Sequence, residues 1–453
     1  ADGQCGWCEC EVDGRPSVRT CRVPVRAGLD ARGEHALPGV GRDVLGLLDL
    51  GSRWIPPTFY HHRFLRPRRL RKRYLDVLRW FGGRGRLRTD RARPVPGPRA
   101  LQRLVVDVLV VGGGPAGILA ALGAAGAGAR VTLLEAEPRI GSTWAWREAL
   151  HRDLLALKAE LAGSGVDVRT STSAIGVYGS TVTALGPEVQ LEIEARVVVA
   201  ATGARESLPL VPGNDLPGVI GARTVEWLIR RHGVVPGERA AIVGSGDAGV
   251  RAATALAAAG SRVVARIEPD AIARILGSTG VRGVRPTSGA AIAADLVVVA
   301  DRSPALELPL AAGVELEWSE YGLRPGGGPD GRTSVPWLRL AGSAAGRGPT
   351  EEAPETARSV GRAAGGAPVP AETVQAEVLP APSPSAPSTS PPASRGAFVC
   401  FCEDVRVDEL DAELRTGTTH PELLKRRTGA LTGPCQGKVC LGAFTVCAAR
   451  GRA

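Results

Sequence analysis

The chain has 453 residues, 44% of them hydrophobic, a mean hydropathy of +0.01 and a formal net charge of +10. That length holds two to four domains with cores of their own, and the balance excludes both a disordered chain and a membrane-spanning one. The sequence contains no Met and does not begin with one, so it is expected to start inside a longer protein, and a targeting segment ahead of Ala1 stays open.

The first element is CGWCECEVDG at residues 5–14, which carries Cys5, Cys8 and Cys10, followed by Cys21. Either all four thiols form one set, with zinc among the candidate metals, or three of them ligate while Cys10 points to the other face of a strand. A connector follows over 26–104, and between Arg63 and Arg103 it interleaves arginines with Tyr74, Trp80 and Phe81. Basic residues mixed with aromatics suit nucleic acid or an acidic surface. The ordinary reading is a solvated or subunit-contacting helix face, and no nucleic acid is expected. His61 and His62 are read as structural or subunit contacts, not catalytic groups.

From Val105 to Gly366, short β-branched runs alternate with small-residue stretches, the pattern of α/β units on a parallel sheet. The run DVLVVGGGPAGILAALGAAGAGARVTLLEAE sets a strand before Gly112-x-Gly114-x-x-Gly117, then a helix, then a strand ending at Glu135. Gly112 makes a tight turn, Gly114 lets the backbone approach a pyrophosphate, and Gly117 lets helix pack on strand, with Pro115 and Ala116 between them. The pyrophosphate would lie at the helix N-terminus and Glu135 would accept from the ribose. A second unit repeats the grammar with Gly244, Gly246, Gly249 and an acid, Glu268. It is flanked by VVVAATGARE, with Thr202 and Gly203, and by WLRLAGSAAG, with Gly342 and Ser343. The second unit therefore reads as inserted into the first. The expected segments are 105–205 and 306–366 for a flavin domain and 206–305 for a nicotinamide-type domain. Glu206 is read as structural.

The order GGGPAG, ATGA, GSGDAG, LAGSAAG resembles the two-dinucleotide-domain flavoproteins of the glutathione and thioredoxin reductase type, which implies FAD. In that superfamily the last motif usually ends in Gly-Asp, whose carboxylate holds the flavin ribityl chain; here Ser343 stands at that position. Some relatives hold NAD or ATP on this fold. No cysteine lies between Cys21 and Cys400, so a thiol–disulfide enzyme of the superfamily's usual kind is excluded.

A Pro/Ser/Ala tract over 367–396 reads as a semi-extended tether. After it come Cys400-x-Cys402 and, 32 residues on, Cys435-x4-Cys440. Four thiolates from two short motifs suit an iron–sulfur cluster or zinc. Cys447 falls outside the pattern and reads as a packed thiol. The tail at 397–453 resembles the [2Fe-2S] domain of bacterioferritin-associated ferredoxin. The first 25 residues resemble the C-terminal part of a plant-type ferredoxin domain, which implies Cys5, Cys8 and Cys21 as ligands and a first ligand just before Ala1. With the aromatic connector, nearly the whole chain resembles the large flavoprotein (alpha) subunits of the heteromeric sarcosine oxidase, opine oxidase, hydrogen cyanide synthase and dye-linked proline dehydrogenase group.

That resemblance implies an oxidoreductase subunit carrying FAD and one or two [2Fe-2S] clusters. It also implies, as partner, a D-amino acid oxidase-like flavoprotein beta subunit, which takes hydride from a substrate amine and hands the electrons to this chain. The further folate-binding domain of sarcosine oxidase alpha subunits has no counterpart in this sequence. Cluster thiolates favour a reducing compartment, and the cytoplasm is expected. Two alternatives stay open: a stand-alone NAD(P)H-dependent reductase and a nucleotide-binding scaffold subunit. No catalytic acid or base is assigned.

Overall fold

The computed structural model describes residues 8–33, isolated positions between 38 and 76, and 99–142, 148–207, 209–244, 246–319, 322–328, 330–346, 354–366 and 396–450. The chain forms two compact units, Ala1–Pro96 together with Phe398–Ala453, and Gly97–Ala397. Segments far apart in sequence, each with its own cysteines, thus share one unit.

In the first unit, β1 (Glu9–Val12) and β2 (Arg15–Arg19) pair antiparallel, with Val12 opposite Arg15. The two residues between them, Asp13 and Gly14, have φ of 50° and 73°. Asp-Gly favours such a turn because its twist matches that of the strands it joins. A short strand, β3 (Ala31–Arg32), pairs along the other edge of β1.

The second unit is built on two sheets. In the first, β4 (Ala100–Val111), α1 (Pro115–Gly126), β5 (Val131–Leu134), α2 (Glu148–Gly163) and β6 (Asp167–Arg169) make successive parallel crossovers. The chain then runs through an antiparallel meander, β7 (Ser173–Tyr178), β8 (Thr181–Leu185) and β9 (Val189–Ala200), and β9 lies parallel to β4 along its whole length. Val108–Val111 and Val198–Ala200 are buried, because a central parallel sheet is covered on both faces and reads as unbroken apolar runs. Each fully buried Val or Leu contributes about 1.5–3 kcal/mol.

After β10 (Ala204–Glu206) comes the second sheet. It contains β11 (Val219–Gly221), α3 (Ala222–His232), β12 (Arg239–Val243), α4 (Asp247–Ala258), β13 (Arg262–Ile267), the antiparallel trio β14 (Ile272–Gly277), β15 (Val281–Pro286) and β16 (Ile292–Ala293), and β17 (Leu296–Val299). Its parallel strands run in the order β11-β17-β12-β13. A short strand, β18 (Arg302–Pro304), pairs with β10 and returns the chain to the first sheet. There β19 (Leu338–Leu340) pairs with the end of β9 and α5 (Pro354–Gly365) covers α1. The last elements, β20 (Phe398–Cys400), β21 (Val405–Arg406), α6 (Val407–Arg415), α7 (Pro421–Thr428) and α8 (Leu441–Arg450), belong to the first unit. Among the described residues no helix is long and apolar enough to cross a membrane.

Helix α1 is held to α5 by direct main-chain contact. A methyl group added at Gly361 would overlap the carbonyl of Ala120, and one at Gly123 the carbonyl of Arg358. At Gly365 it would lie 2.7 Å from the Ala127 methyl. Overpacking such a seam costs about 1–3 kcal/mol. Gly361→Leu is therefore expected to lower the denaturant midpoint by that free energy and to reduce flavin retention. Gly126→Leu, at the end of the same helix where an added methyl meets nothing within 4 Å, should do neither.

Candidate functional site

The strands of the first sheet end in register. Val111 is paired with Leu134 on one side and with Ala200 on the other, and Ala200 is paired with Leu340. Ligands of open α/β sheets gather beyond these C-terminal ends. Gly112 follows β4 with φ of 112°, and a side chain there would run into the Ala201 carbonyl. Gly114 is the N-cap of α1 and Pro115 its first residue, fitting the fixed φ of proline to a helix start. No side chain caps this helix, so the N–H groups of its first turn are left for an anion. Ala116 is half-buried, and Gly117 packs against the Gly112 carbonyl so closely that a methyl group would overlap it.

Glu135, just past β5, closes the turn. Its carboxylate accepts from the backbone N–H of Gly113 at 2.8 Å and of Glu137 at 2.7 Å. Burial raises its pKa, and those two N–H donors only partly offset the rise. Thr202 and Gly203 follow β9; the Thr202 hydroxyl donates to the Ala305 carbonyl at 3.4 Å, and Gly203 has φ of 78°. Gly342 and Ser343 open the 3-10 turn after β19.

The Ser343 hydroxyl accepts from Arg302 Nη2 at 3.1 Å. A guanidinium therefore stands where the superfamily pattern implies a carboxylate. Spacing in the sequence does not single out Arg302, because 41 residues separate it from Ser343 and only the β10–β18 pairing joins them. Preceding it, Asp301 is deeply buried, which raises its pKa, although it accepts from the Arg302 N–H.

In the second sheet the same turn recurs. Gly244 has φ of 99°, Gly246 caps α4, and Gly249 lies against Ala300 and the Gly244 carbonyl. Glu268 follows β13 at the start of a short 3-10 turn. Glu206, as expected, is structural: it accepts from the N–H and hydroxyl of Thr224 at the start of α3, the latter at 2.6 Å.

The C-terminal thiols form a ring. Cys400 ends β20, Cys402 lies in the turn to β21, and Cys435 and Cys440 come from the loop before α8. Thiol–thiol hydrogen bonds join Cys400 to Cys402 and Cys440, and Cys435 to the same two. These bonds hold Cys400 and Cys435 well below the ordinary thiol range and push Cys402 and Cys440 up. Backbone N–H groups of Glu403 and Leu431 also stabilise the Cys400 thiolate, and those of Val439 and Gly437 the Cys435 thiolate.

The loops around this ring are strained. Asp404, Leu431 and Gln436 all have positive φ, at 52°, 69° and 54°. Such conformations cost of order 1–3 kcal/mol each and persist where function needs them. Cys447 is buried within α8, a packed thiol.

At the N-terminal group, the backbone N–H of Cys21 donates to Cys8 Sγ at 3.4 Å. Burial would raise the Cys8 thiol, but hydrogen bonds from Cys21 and Thr20 outweigh it and lower its pKa. Cys10 lies inside β1 on the same face as buried Val12. Cys5, His61, His62 and most of the basic connector lie outside the described residues.

A carboxylate that must accept from a ribose loses that role when protonated. Nucleotide affinity is thus expected to fall as pH drops through the raised pKa of Glu135 and to be flat above it, measured by FAD titration of the apoprotein. Glu135→Gln should abolish this pH dependence and cost about 1.5–3 kcal/mol, roughly one to two powers of ten in affinity.

A family model described as pyridine nucleotide-disulphide oxidoreductase matches residues 106–278. The sarcosine oxidase alpha chain of Rhizobium meliloti (strain 1021) is 28% identical over 94% of this chain, which spans 47% of that relative, about half its length. An opine oxidase subunit from Agrobacterium tumefaciens (strain Ach5) is 27% identical over 75% of this chain and 84% of its own. Among solved structures, the L-proline dehydrogenase from P. horikoshii superposes with a TM-score of 0.62 at 26% identity, covering 78% of this chain and 75% of that one. The two nucleotide-type turns and these likenesses agree: the chain belongs to the flavoprotein oxidoreductase family that includes the large subunits of sarcosine oxidase and opine oxidase.

Proposed function

We propose that this chain is the electron-transfer subunit of a heteromeric amine or amino acid dehydrogenase or oxidase. It would accept electrons from a partner flavoprotein subunit that oxidises a sarcosine-, proline- or opine-type substrate. The observation that carries this reading is the ring of four thiols in a chain that also holds a flavin-type nucleotide turn. A flavin takes electrons in pairs and releases them singly, while iron–sulfur centres carry them one at a time, so the combination suits a relay. The relatives' names supply the substrate class and, since they are named as subunits, the expectation of a partner. The cytoplasm remains the proposed compartment.

FAD is assigned to the first sheet, with Gly112, Gly114, Pro115, Ala116, Gly117 and Glu135 at the nucleotide and Thr202, Gly203, Gly342 and Ser343 lining the flavin side. NAD or ATP is proposed for the turn at Gly244, Gly246, Gly249 and Glu268. A [2Fe-2S] centre is proposed at Cys400, Cys402, Cys435 and Cys440. Among the described residues no three metal-binding side chains close on the single point that one zinc ion requires. A ring whose thiols bond to their neighbours suits two metals, each taking two sulfurs. A second centre is proposed at Cys5, Cys8 and Cys21, with one ligand from outside this sequence. Bound FAD would supply two-electron chemistry, while the uncapped N-terminus of α1 orients the pyrophosphate and Glu135 the ribose.

Native mass spectrometry of the anaerobically isolated complex tests the reading. A co-eluting amine-oxidase-type flavoprotein, with FAD and iron on this chain, is the expected result; a chain eluting alone whose flavin is bleached by NADH would replace it with a reductase. Room at the ring gives a second test. An added methyl at Gly433 would overlap the Cys402 Cβ, whereas at Gly442 it meets nothing within 4 Å. Gly433→Ala should lose iron and visible cluster absorption while keeping FAD, and Gly442→Ala should keep both.

A further inference from the structure

The two cysteine groups, far apart in sequence, meet in one unit through a single side chain. Arg19 Nη2 donates to the carbonyl of Pro434 at 3.1 Å, and the next residue is Cys435. At its other end, the Thr20 N–H donates to the Cys8 carbonyl at 3.0 Å, and the Thr20 hydroxyl donates to the same oxygen at 2.8 Å. Glu9, beside Cys8 and opposite Arg19 in the β1–β2 register, holds the guanidinium at 3.5 Å. A continuous path of covalent and hydrogen bonds therefore runs from Cys8 through Thr20 and Arg19 to Pro434 and Cys435.

We infer that Arg19 couples the N-terminal thiol site to the C-terminal ring, so that single electrons pass between them across its guanidinium. This rests on the proposal above that both groups of thiols hold redox centres. Each transfer oxidises one centre by one electron and reduces the other by one, with no bond made or broken and no proton moved. Arg19 is a positioning residue in this account: its cation sits one residue from a ligand and its planar fork fixes the distance between the two loops.

The test uses the full complex, prepared anaerobically, as wild type, Arg19→Met and Arg19→Lys, with Arg26→Met as control. Arg26 pairs with Asp13 at the β1–β2 turn, away from Pro434. Iron counts and the electron paramagnetic resonance signals of the dithionite-reduced protein report whether both centres are present. Magnetic broadening between those signals, and the rate of electron exchange between them after rapid mixing, report the coupling. Arg19→Met is expected to keep its iron and both signals while losing the broadening and slowing the exchange, and to shift the C-terminal centre to lower potential. Arg19→Lys should restore part of each, and Arg26→Met should match wild type. Two intact centres with unchanged broadening and exchange in Arg19→Met would overturn the inference alone. A wild-type complex with iron at only one site would overturn the two-centre reading and the inference with it.

Discussion

The nucleotide site depends on main chain meeting main chain with no side chain between. At the end of β4 the Gly112 carbonyl lies against Gly117, the Ala201 carbonyl lies against Gly112, and further along α1 the backbone of α5 is pressed onto Gly123. Only hydrogen fits at these three positions. The result is a helix whose start is fixed relative to the strand ends, with its first N–H groups uncapped and aimed where a pyrophosphate belongs. Glu135 works from the same constraint, since its carboxylate is held by the N–H of Gly113 inside the turn.

The thiol ring follows a different logic. Here the backbone is bent into unfavourable φ at Asp404, Leu431 and Gln436 so that N–H groups point at sulfur. Without charge to receive those hydrogen bonds the bend would be pure cost. Around it the fold is conventional: Glu409 accepts from the Arg406 N–H to start α6, and Gly429 with φ of 82° ends α7. Strain is thus concentrated where thiolates gather, and the surrounding helices provide the stability that maintains it.

At the flavin end the chain departs from the superfamily pattern. A hydroxyl at Ser343 cannot supply the negative charge of an aspartate, and Arg302 donates to it from the segment that closes the inserted sheet. The polarity at that point is reversed, from acceptor to donor. Any ligand group seated beside Ser343 meets a cation, which favours phosphate or a carbonyl oxygen over a hydroxyl seeking an acceptor.

Much was legible in the sequence because it is local. Strand, glycine turn, helix and terminal acid lie within about thirty residues, and their chemistry follows from spacing alone; the C-x-C and C-x4-C pairs are equally self-declaring. The Asp13–Gly14 hairpin is just as readable, although the cysteines around it carry the stronger signal. What the sequence could not display is every contact between distant segments: Arg302 on Ser343, α5 on α1, and Arg19 on the Pro434 carbonyl. Spacing carries information only where chain connectivity fixes geometry, over one supersecondary unit. Beyond that, the pairing of strand ends and the packing of backbones decide which residues meet, and these are properties of the closed fold.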